Sequence, residues 1–501
     1  MQQQAHLNHD VGWILHSARW MLEGRRFGSD IVDPNPPLIW FLSMPAAVLV
    51  NAGWVGEPEA IRGYVWMLCL VSMALCHKLL APLRRSNGES ESVVLIIVLV
   101  FVIALLPGRS FAQREFLCFV LGMPYCLLVA GRMLVPAAYS RRVSVVCGLF
   151  AGVGFGLKPW LLAVPLLVEL AYLLHTRSWA RLFRGETMSM GGILAAYVLA
   201  AFLFTPDYFS HALPLARAVY WIYGHSDPAL MWADVRDFVA PVIVCAAALS
   251  AIARTSSPHT RVLFAAAVGY LANYWMQGKG FEYHLYPALA TSVVLVALTL
   301  LQASRMFMGV ASIRKELRVS VIATAVLVVC VHVWPSVQHT RLWFIREGTY
   351  SGWMWQMREG VIQRVRQITH GQHKTIYAFS THPFPGFPTV TYANVEWGGR
   401  QLAQFALAGL IREQQIRGPE ALERMRRGIE RQRQTVVEEF LAQDPDIVLI
   451  NSLTLLRLED SARFDYIAYF SSDPRFAERW RYYHEVKGSN AIRFFVKGAR
   501  Q

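Results

Sequence analysis

Three carboxylates near the start of the chain, Asp10, Asp30 and Asp33, are the first groups whose type and spacing could move a proton. They lie in DVGWILHSARWMLEGRRFGSDIVDPNPPL, residues 10–38. Asp10 opens a stretch in which Trp13, Leu15, Ala18, Met21 and Leu22 can share one apolar helix surface. Its carboxylate therefore falls at a helix N-terminus, where the partial positive charge favours the ionised form. Asp30 and Asp33 follow Gly28 and precede Asn35, Pro36 and Pro37, whose restricted backbone angles direct the chain's exit. Such carboxylates can act as general bases toward a hydroxyl; in their bland reading they are an N-cap and two turn formers.

Cations recur farther along, always beside apolar runs. Arg114 and Glu115 lie in GRSFAQREF (108–116), Lys158 in GVGFGLKPW (152–160), and Lys279, Tyr283 and His284 in QGKGFEYHLYP (277–287). An ionisable group at a membrane boundary must be paired, reach water or be used. Arg114, Glu115, Lys158, Lys279, Tyr283 and His284 thus concentrate cations, an anion and hydrogen-bonding rings at these boundaries. The alternative is a set of snorkelling and belt residues. The His and Asp residues show no metal-ligand spacing, so a divalent ion is allowed rather than implied, and no other cofactor is indicated. Nucleotide-binding glycine motifs are absent in usable contexts, which argues against a nucleotide-sugar site.

The elements that must position these residues are membrane helices. Of 501 residues, 54% are hydrophobic and only 16% charged, far below the quarter expected of a soluble domain. The net charge of +14 sits in short clusters between apolar runs, which is a topology signal and not a nucleic-acid footprint. All seven cysteines fall in or beside apolar runs, so no disulfide framework is expected. Spans are expected over 63–82, 92–107, 117–134, 144–157, 160–175, 190–205, 239–253, 262–278, 285–303 and 319–334. Arg84, Arg85, Arg132, Arg141, Arg142, Arg177, Arg181, Arg184, Arg254, Arg261, Arg305, Arg314, Lys315 and Arg318 fall in one set of alternate loops. Only Arg109, Arg114, Lys158, Arg217, Arg236 and Lys279 fall in the other. The richer set is cytoplasmic.

Residues 1–62 then form an extracytoplasmic first loop with interfacial helices, and 63–334 a transmembrane domain of about ten helices. Residues 335–501 form an extracytoplasmic α/β domain. Its strands are expected near Thr375–Ser380 and Asp446–Asn451, flanking a charged helix over 419–443. Residues 38–55, interrupted by Pro45, Asn51 and Gly53, read as a helix lying on the outer face. With an even number of spans and both termini outside, the expectation is either one more helix ahead of Asp10, the favoured reading, or an N-terminus translocated unaided.

A carboxylate, a Trp/Leu/Ala-rich helix, a glycine and an acidic turn running into NPPL resembles the first extracytoplasmic loop of the GT-C glycosyltransferases. That superfamily includes the protein O-mannosyltransferases and the aminoarabinose lipid A transferases. The fold class implied is a polytopic α-helical membrane protein with a C-terminal extracytoplasmic α/β domain, in the bacterial inner membrane. By this resemblance Asp10 is the catalytic base or acceptor-positioning carboxylate, and Asp33 or Asp30 the acid ahead of the prolines. The segments around Arg114 and Lys279 resemble parts of the same superfamily's outer loops. This implies Arg114 and Lys279 on the donor phosphate, Glu115 orienting a sugar hydroxyl or the arginine, and Tyr283 and His284 contacting phosphate or sugar. Lys158 resembles a T-K-G turn of the lipid A transferases, which implies a structural or phosphate-facing role. The implied partners are a polyprenyl-phosphate sugar donor, an extracytoplasmic glycan, lipid or protein acceptor, and membrane lipids.

The resulting expectation is an inverting glycosyl transfer on the outer face. A transporter or flippase would instead place ionisable groups mid-span with repeat symmetry, and here Glu169 alone stands out within a span. A non-catalytic envelope scaffold would account for the tail but not for Asp10 and Arg114 on separate outer loops. The orientation has a direct test: a reporter active only in the cytoplasm, fused after Gln501, should be silent, and activity there would overturn it.

Overall fold

The computed structural model describes residues 6–87, 89–219, 227–252, 257–309, 350–410, 419–451, 464–488 and 492–498. The span expected over 319–334 and the boundary at 334/335 lie outside the described residues. The helical part comprises α1 (His9–Leu22), α2 (Leu38–Asn51), α3 (Glu57–Leu79), α4 (Ala81–Asn87), α5 (Glu89–Ala104), α6 (Arg114–Leu134) and α7 (Arg141–Gly156). It continues with α8 (Ala163–Thr176), α9 (Gly185–Phe204), α10 (Leu213–Val219), α11 (Pro228–Asp234), α12 (Ala240–Ile252), α13 (Pro258–Gln277) and α14 (Glu282–Gly309). Each of the nine expected spans within the described residues coincides with a helix. Among the described residues five helices are long and apolar enough to cross a membrane: Glu57–Arg85, Arg114–Leu134, Pro159–Thr176, Gly185–Phe204 and Glu282–Arg305.

Helix α6 lies at the centre and packs against α3, α7, α13 and α14. Its residues are buried almost without interruption from Arg114 to Met133, as an all-round apolar helix must be. At the rim, α9 leaves Val198, Leu199, Phe202, Leu203 and Phe204 exposed, a lipid-facing surface. Its inner side meets α7 so closely that a Cβ on Gly152 would lie 2.9 Å from the Met190 carbonyl oxygen, the close approach that small residues allow between membrane helices. Glu169 pairs with Arg184 at 2.5 Å, and Arg184 and Arg132 both reach Glu186, at 2.7 and 2.6 Å. The carboxylate that stood out within a span is therefore neutralised by local cations.

Helix α2, with Pro45 inside it, is 14 residues long, about 21 Å against a hydrocarbon core of about 30 Å. That length suits a helix that does not cross. The apolar stripe expected on α1 is incomplete as a description, because Val11 to Ala18 are all buried, Gly12, His16 and Ser17 included. The helix is covered on every side because the C-terminal region packs on it.

That region builds a five-stranded sheet in the order β2-β1-β3-β5-β4, from β1 (Thr375–Phe379), β2 (Glu396–Trp397), β3 (Ile447–Asn451), β4 (Tyr483–Val486) and β5 (Ile492–Lys497). The pairs of β1 with β2 and β3 are parallel, and those of β5 with β3 and β4 antiparallel. Alternation along the strands makes two apolar faces. Tyr377, Phe379, Val448 and Ile450 pack with Val437 and Phe440 of the helix Pro419–Gln443. Ile376, Ala378, Ile447 and Leu449 belong instead to the core shared with the helical part. Across that junction the Leu7 amide donates to Tyr392 at 2.9 Å, Trp20 Nε1 to Glu396 at 2.9 Å, and the Val32 amide to the Arg400 carbonyl at 2.7 Å.

Gly28, at φ +111°, ties the first loop to the chain after α9: a Cβ there would lie 2.2 Å from the backbone of Asp207 and Tyr208. Asp207 is held by Arg26 at 2.7 Å and Ser29 at 2.8 Å. Gly24 has a similar φ of +94° with nothing near its Cβ position. Gly24→Ala should therefore cost only backbone strain, about 1–3 kcal/mol. Gly28→Ala should lower the melting temperature clearly further, because rigid backbone must move. Equal shifts for the two variants in detergent would contradict the close approach.

Candidate functional site

The side chain that caps α1 is Asn8, whose Oδ1 accepts the Asp10 amide at 2.9 Å. Asp10 sits in the first turn with its carboxylate released from capping. The bland N-cap role thus passes to its neighbour. Asp33 is held by the turn that the prolines impose: the Asn35 amide and Nδ2 both donate to its Oδ1 at 2.8 Å, and Trp13 Nε1 donates to Oδ2 at 3.0 Å. Both carboxylates line one cavity of roughly 280 Å³ with His9, Asn35, Arg114, Tyr283 and His382. Asp30 stays away from it and accepts the Arg26 amide at 2.9 Å, the turn-forming role.

Arg114 is the first residue of α6 and is buried; among the described residues its Nε and Nη1 have no hydrogen-bond partner. The N-terminus of α6 also has no side-chain cap, so its amide groups add positive potential near the cavity. Behind Arg114 lies a buried cluster. Lys158 donates to Glu115 and, at 2.9 Å, to Gln277, and stands 3.1 Å from His284 Nε2, which is 3.3 Å from Glu115. Glu115, Lys158 and His284 are thus brought together but do not line the cavity. Burial lowers the Lys158 ammonium to about 8, with Glu115 opposing. Burial, and then the cations Lys158 and Arg114, also pull Lys279 well below its usual range. Tyr283 does reach the cavity, stacked on Phe281 and edge-on to His284.

The two carboxylates are driven apart. Burial pushes Asp10 up, but His9, with Nε2 3.6 Å away, and the Arg114 guanidinium outweigh it and hold its carboxyl below the usual range. For Asp33 burial prevails over Arg114, Asn35 and Trp13 and raises it. A pair so separated has one member suited to remain an ionised base and one tending to hold a proton.

His9 and His382 were missed by sequence reasoning. His9 adjoins Asp10 and carried no separate signal. His382 belongs to THPFPGFP, residues 381–388, a Pro-aromatic run after β1 that could have flagged a shaped loop but not its partner. A second cavity of roughly 380 Å³ adjoins the first, shares His9, Phe281 and Tyr283 with it, and is lined also by Arg62, Arg109, Glu282 and Arg358. Among the described residues no group of three or more His, Cys, Asp or Glu side chains is disposed to hold a metal ion.

No protein-family model matches the chain, and neither does any curated protein. Two crystal structures of ArnT from Cupriavidus metallidurans, one bound to undecaprenyl phosphate and one apo, are similar to it along nearly the whole length. They cover 99% of this chain and 95% and 96% of their own, at 14% identity and TM-scores of 0.53 and 0.54. The chain adopts a GT-C fold. Within that fold the likeness extends over the helical bundle and the C-terminal sheet together, so both are parts of one architecture.

The split carboxylates give a pH prediction. With Asp10 lowered in the folded state, its contribution to stability is present above the unfolded value of about 4 and fades only as pH falls through its lower native value. Asp33 runs oppositely: its raised native value favours the folded state below about pH 4, and that contribution is lost as pH rises through the raised value. Of two acid limbs in a pH–rate profile, the upper one should accordingly disappear in Asp33→Asn, leaving the lower limb of Asp10. An upper limb that persists unchanged would refute the separation.

Proposed function

We propose that this protein transfers a sugar from a polyprenyl-phosphate-linked donor to a hydroxyl-bearing acceptor at the extracytoplasmic face of a membrane. The observation that carries the reading is the joint exposure, in one cavity, of a carboxylate held in its ionised range and a buried guanidinium with unfilled N–H groups. A dry site with opposite charges on facing elements is what a transfer with a phosphate leaving group needs. The GT-C fold and the undecaprenyl phosphate bound in one ArnT structure support a lipid phosphate as the carrier.

In this mechanism Asp10 takes the proton of the acceptor hydroxyl as its oxygen attacks the anomeric carbon. The new C–O bond forms on the face opposite the phosphate, the bond between the anomeric carbon and the phosphate oxygen breaks, and the configuration inverts. The electron pair leaves on the lipid phosphate, whose charge meets Arg114 and the uncapped N-terminus of α6. Lys279, pulled below its usual range by burial and then by Lys158 and Arg114, does not line either cavity, so its role toward the phosphate is through space only. Lys158, Glu115 and His284 act through Arg114 as a buried electrostatic backing. Asp33 orients the base's surroundings through Trp13 and Asn35. We assign the acceptor to the adjoining cavity, which meets the first at His9 and Tyr283. Sugar, prenyl length and acceptor identity are left to experiment.

Asp10→Asn and Arg114→Met test the two charges separately. With radiolabelled polyprenyl-phosphate sugars and a membrane extract as acceptor, Asp10→Asn should lose about 100-fold or more in turnover, with the melting temperature held near wild type. Arg114→Met should weaken the use of donor or abolish transfer. Full activity in a folded Asp10→Asn protein would remove the base from the mechanism.

A further inference from the structure

The C-terminal segment places a histidine of fixed tautomer in the donor cavity. The His382 amide donates to Ser380 Oγ at 3.0 Å, and its ring Nδ1 accepts the Phe384 amide at 3.0 Å. An imidazole that accepts at Nδ1 while neutral must carry its hydrogen on Nε2. Burial pulls the ring down to about 3, with the His9 and Arg358 side chains acting in the same direction and Asp10 opposing. The ring is therefore neutral throughout the physiological range. It is also wedged, packing edge-on against His9 with centroids 5.3 Å apart. Its Nδ1 is occupied and its Nε2 already protonated, so it has no site at which to act as a base. What remains is one N–H donor, and among the described residues no protein acceptor takes it.

We propose that His382 Nε2–H is a hydroxyl-reading donor in a sugar subsite that the C-terminal domain supplies to the cavity. The inference rests on the reading of this cavity as a sugar-phosphate site and names which part of the donor the C-terminal domain recognises. A phosphate already has the Arg114 guanidinium and the α6 N-terminus, against which a neutral imidazole adds little. A sugar hydroxyl, by contrast, is neutral and needs a directional partner. Aromatic walls at Trp13, Tyr283 and Phe405 line the same cavity and suit the apolar faces of a pyranose. His382 is thus a binding and positioning group, and Asp10 remains the base.

The test compares two ligands on the full-length protein in detergent: undecaprenyl phosphate, and a panel of undecaprenyl-phosphate hexoses and pentoses. His382→Phe preserves the ring's bulk without its N–H, and His382→Gln restores an N–H at similar reach. Affinity of His382→Phe for undecaprenyl phosphate should equal that of wild type. Its affinity for the best sugar-bearing donor should fall about 10-fold, the order expected when a hydrogen bond of roughly 1.4 kcal/mol is removed, and His382→Gln should recover part of it. Transfer rates should follow, with the shape of the pH profile unchanged. Loss for both ligands, or for neither, would overturn the assignment to sugar, as would a shifted pH limb. A wild-type protein that binds none of these lipids would reject the sugar-phosphate reading itself, and the inference with it.

Discussion

A buried carboxylate stays ionised only where fixed positive charge compensates its lost hydration, and that constraint organises this protein. Asp10 meets it through His9 beside it and through Arg114, which comes from a different helix and a distant part of the chain. Arg114 in turn is buried with nitrogens unfilled and is backed by Glu115, which Lys158 and His284 bind. Each charge is tolerable because the next is present. The result is a cavity that holds a carboxylate and a guanidinium together, which in the proposed transfer would divide proton acceptance from stabilisation of the leaving anion.

Holding that arrangement requires a rigid frame on both sides. On one side stands α6, packed all round within the bundle. On the other, the segment after β1 packs His382 and Phe387 against His9, Trp13 and His16 of α1 and closes the cavity with Thr381, His382 and Phe405. Two carbonyl and carboxyl contacts, Val32 to Arg400 and Trp20 to Glu396, keep the first loop aligned with this wall. The C-terminal region is therefore a structural component of the cavity and not an appended module. Within the first loop α1 loses the exposed face that an interfacial helix would keep, while α2 leaves Val48 exposed, with Trp54 and Val55 after it.

Several features were legible from residue order because they depend on local physics. Apolar runs marked the helices, since length and hydropathy suffice to specify a span. Alternating β-branched and aromatic residues marked β1 and β3, and the charged stretch 419–443 marked its helix. Asp33 ahead of the prolines and Asp10 at the start of α1 were recognisable as chemistry-bearing carboxylates. Less legible was which of the acids would enter the cavity. Asp30 and Asp33 are near-neighbours in a turn, and their different fates follow from the turn's geometry: one carboxylate bends back to Arg26, the other faces Trp13.

What the sequence by itself determined was the membrane class, the positions of the helices and strands, and a short roster of ionisable groups at helix ends. Those properties follow from periodicity and from the cost of placing charge in hydrocarbon. Only the tertiary structure decided that Glu115, Lys158 and His284 lie behind the cavity instead of lining it, that Asn8 takes the cap, and that His382 arrives from beyond the sheet's first strand. The reason is physical. Pairing energies between charges depend on distances between segments far apart in the chain, which no local pattern encodes; the His382 tautomer is set locally by the Phe384 amide, and only the arrival of that loop at the cavity is tertiary.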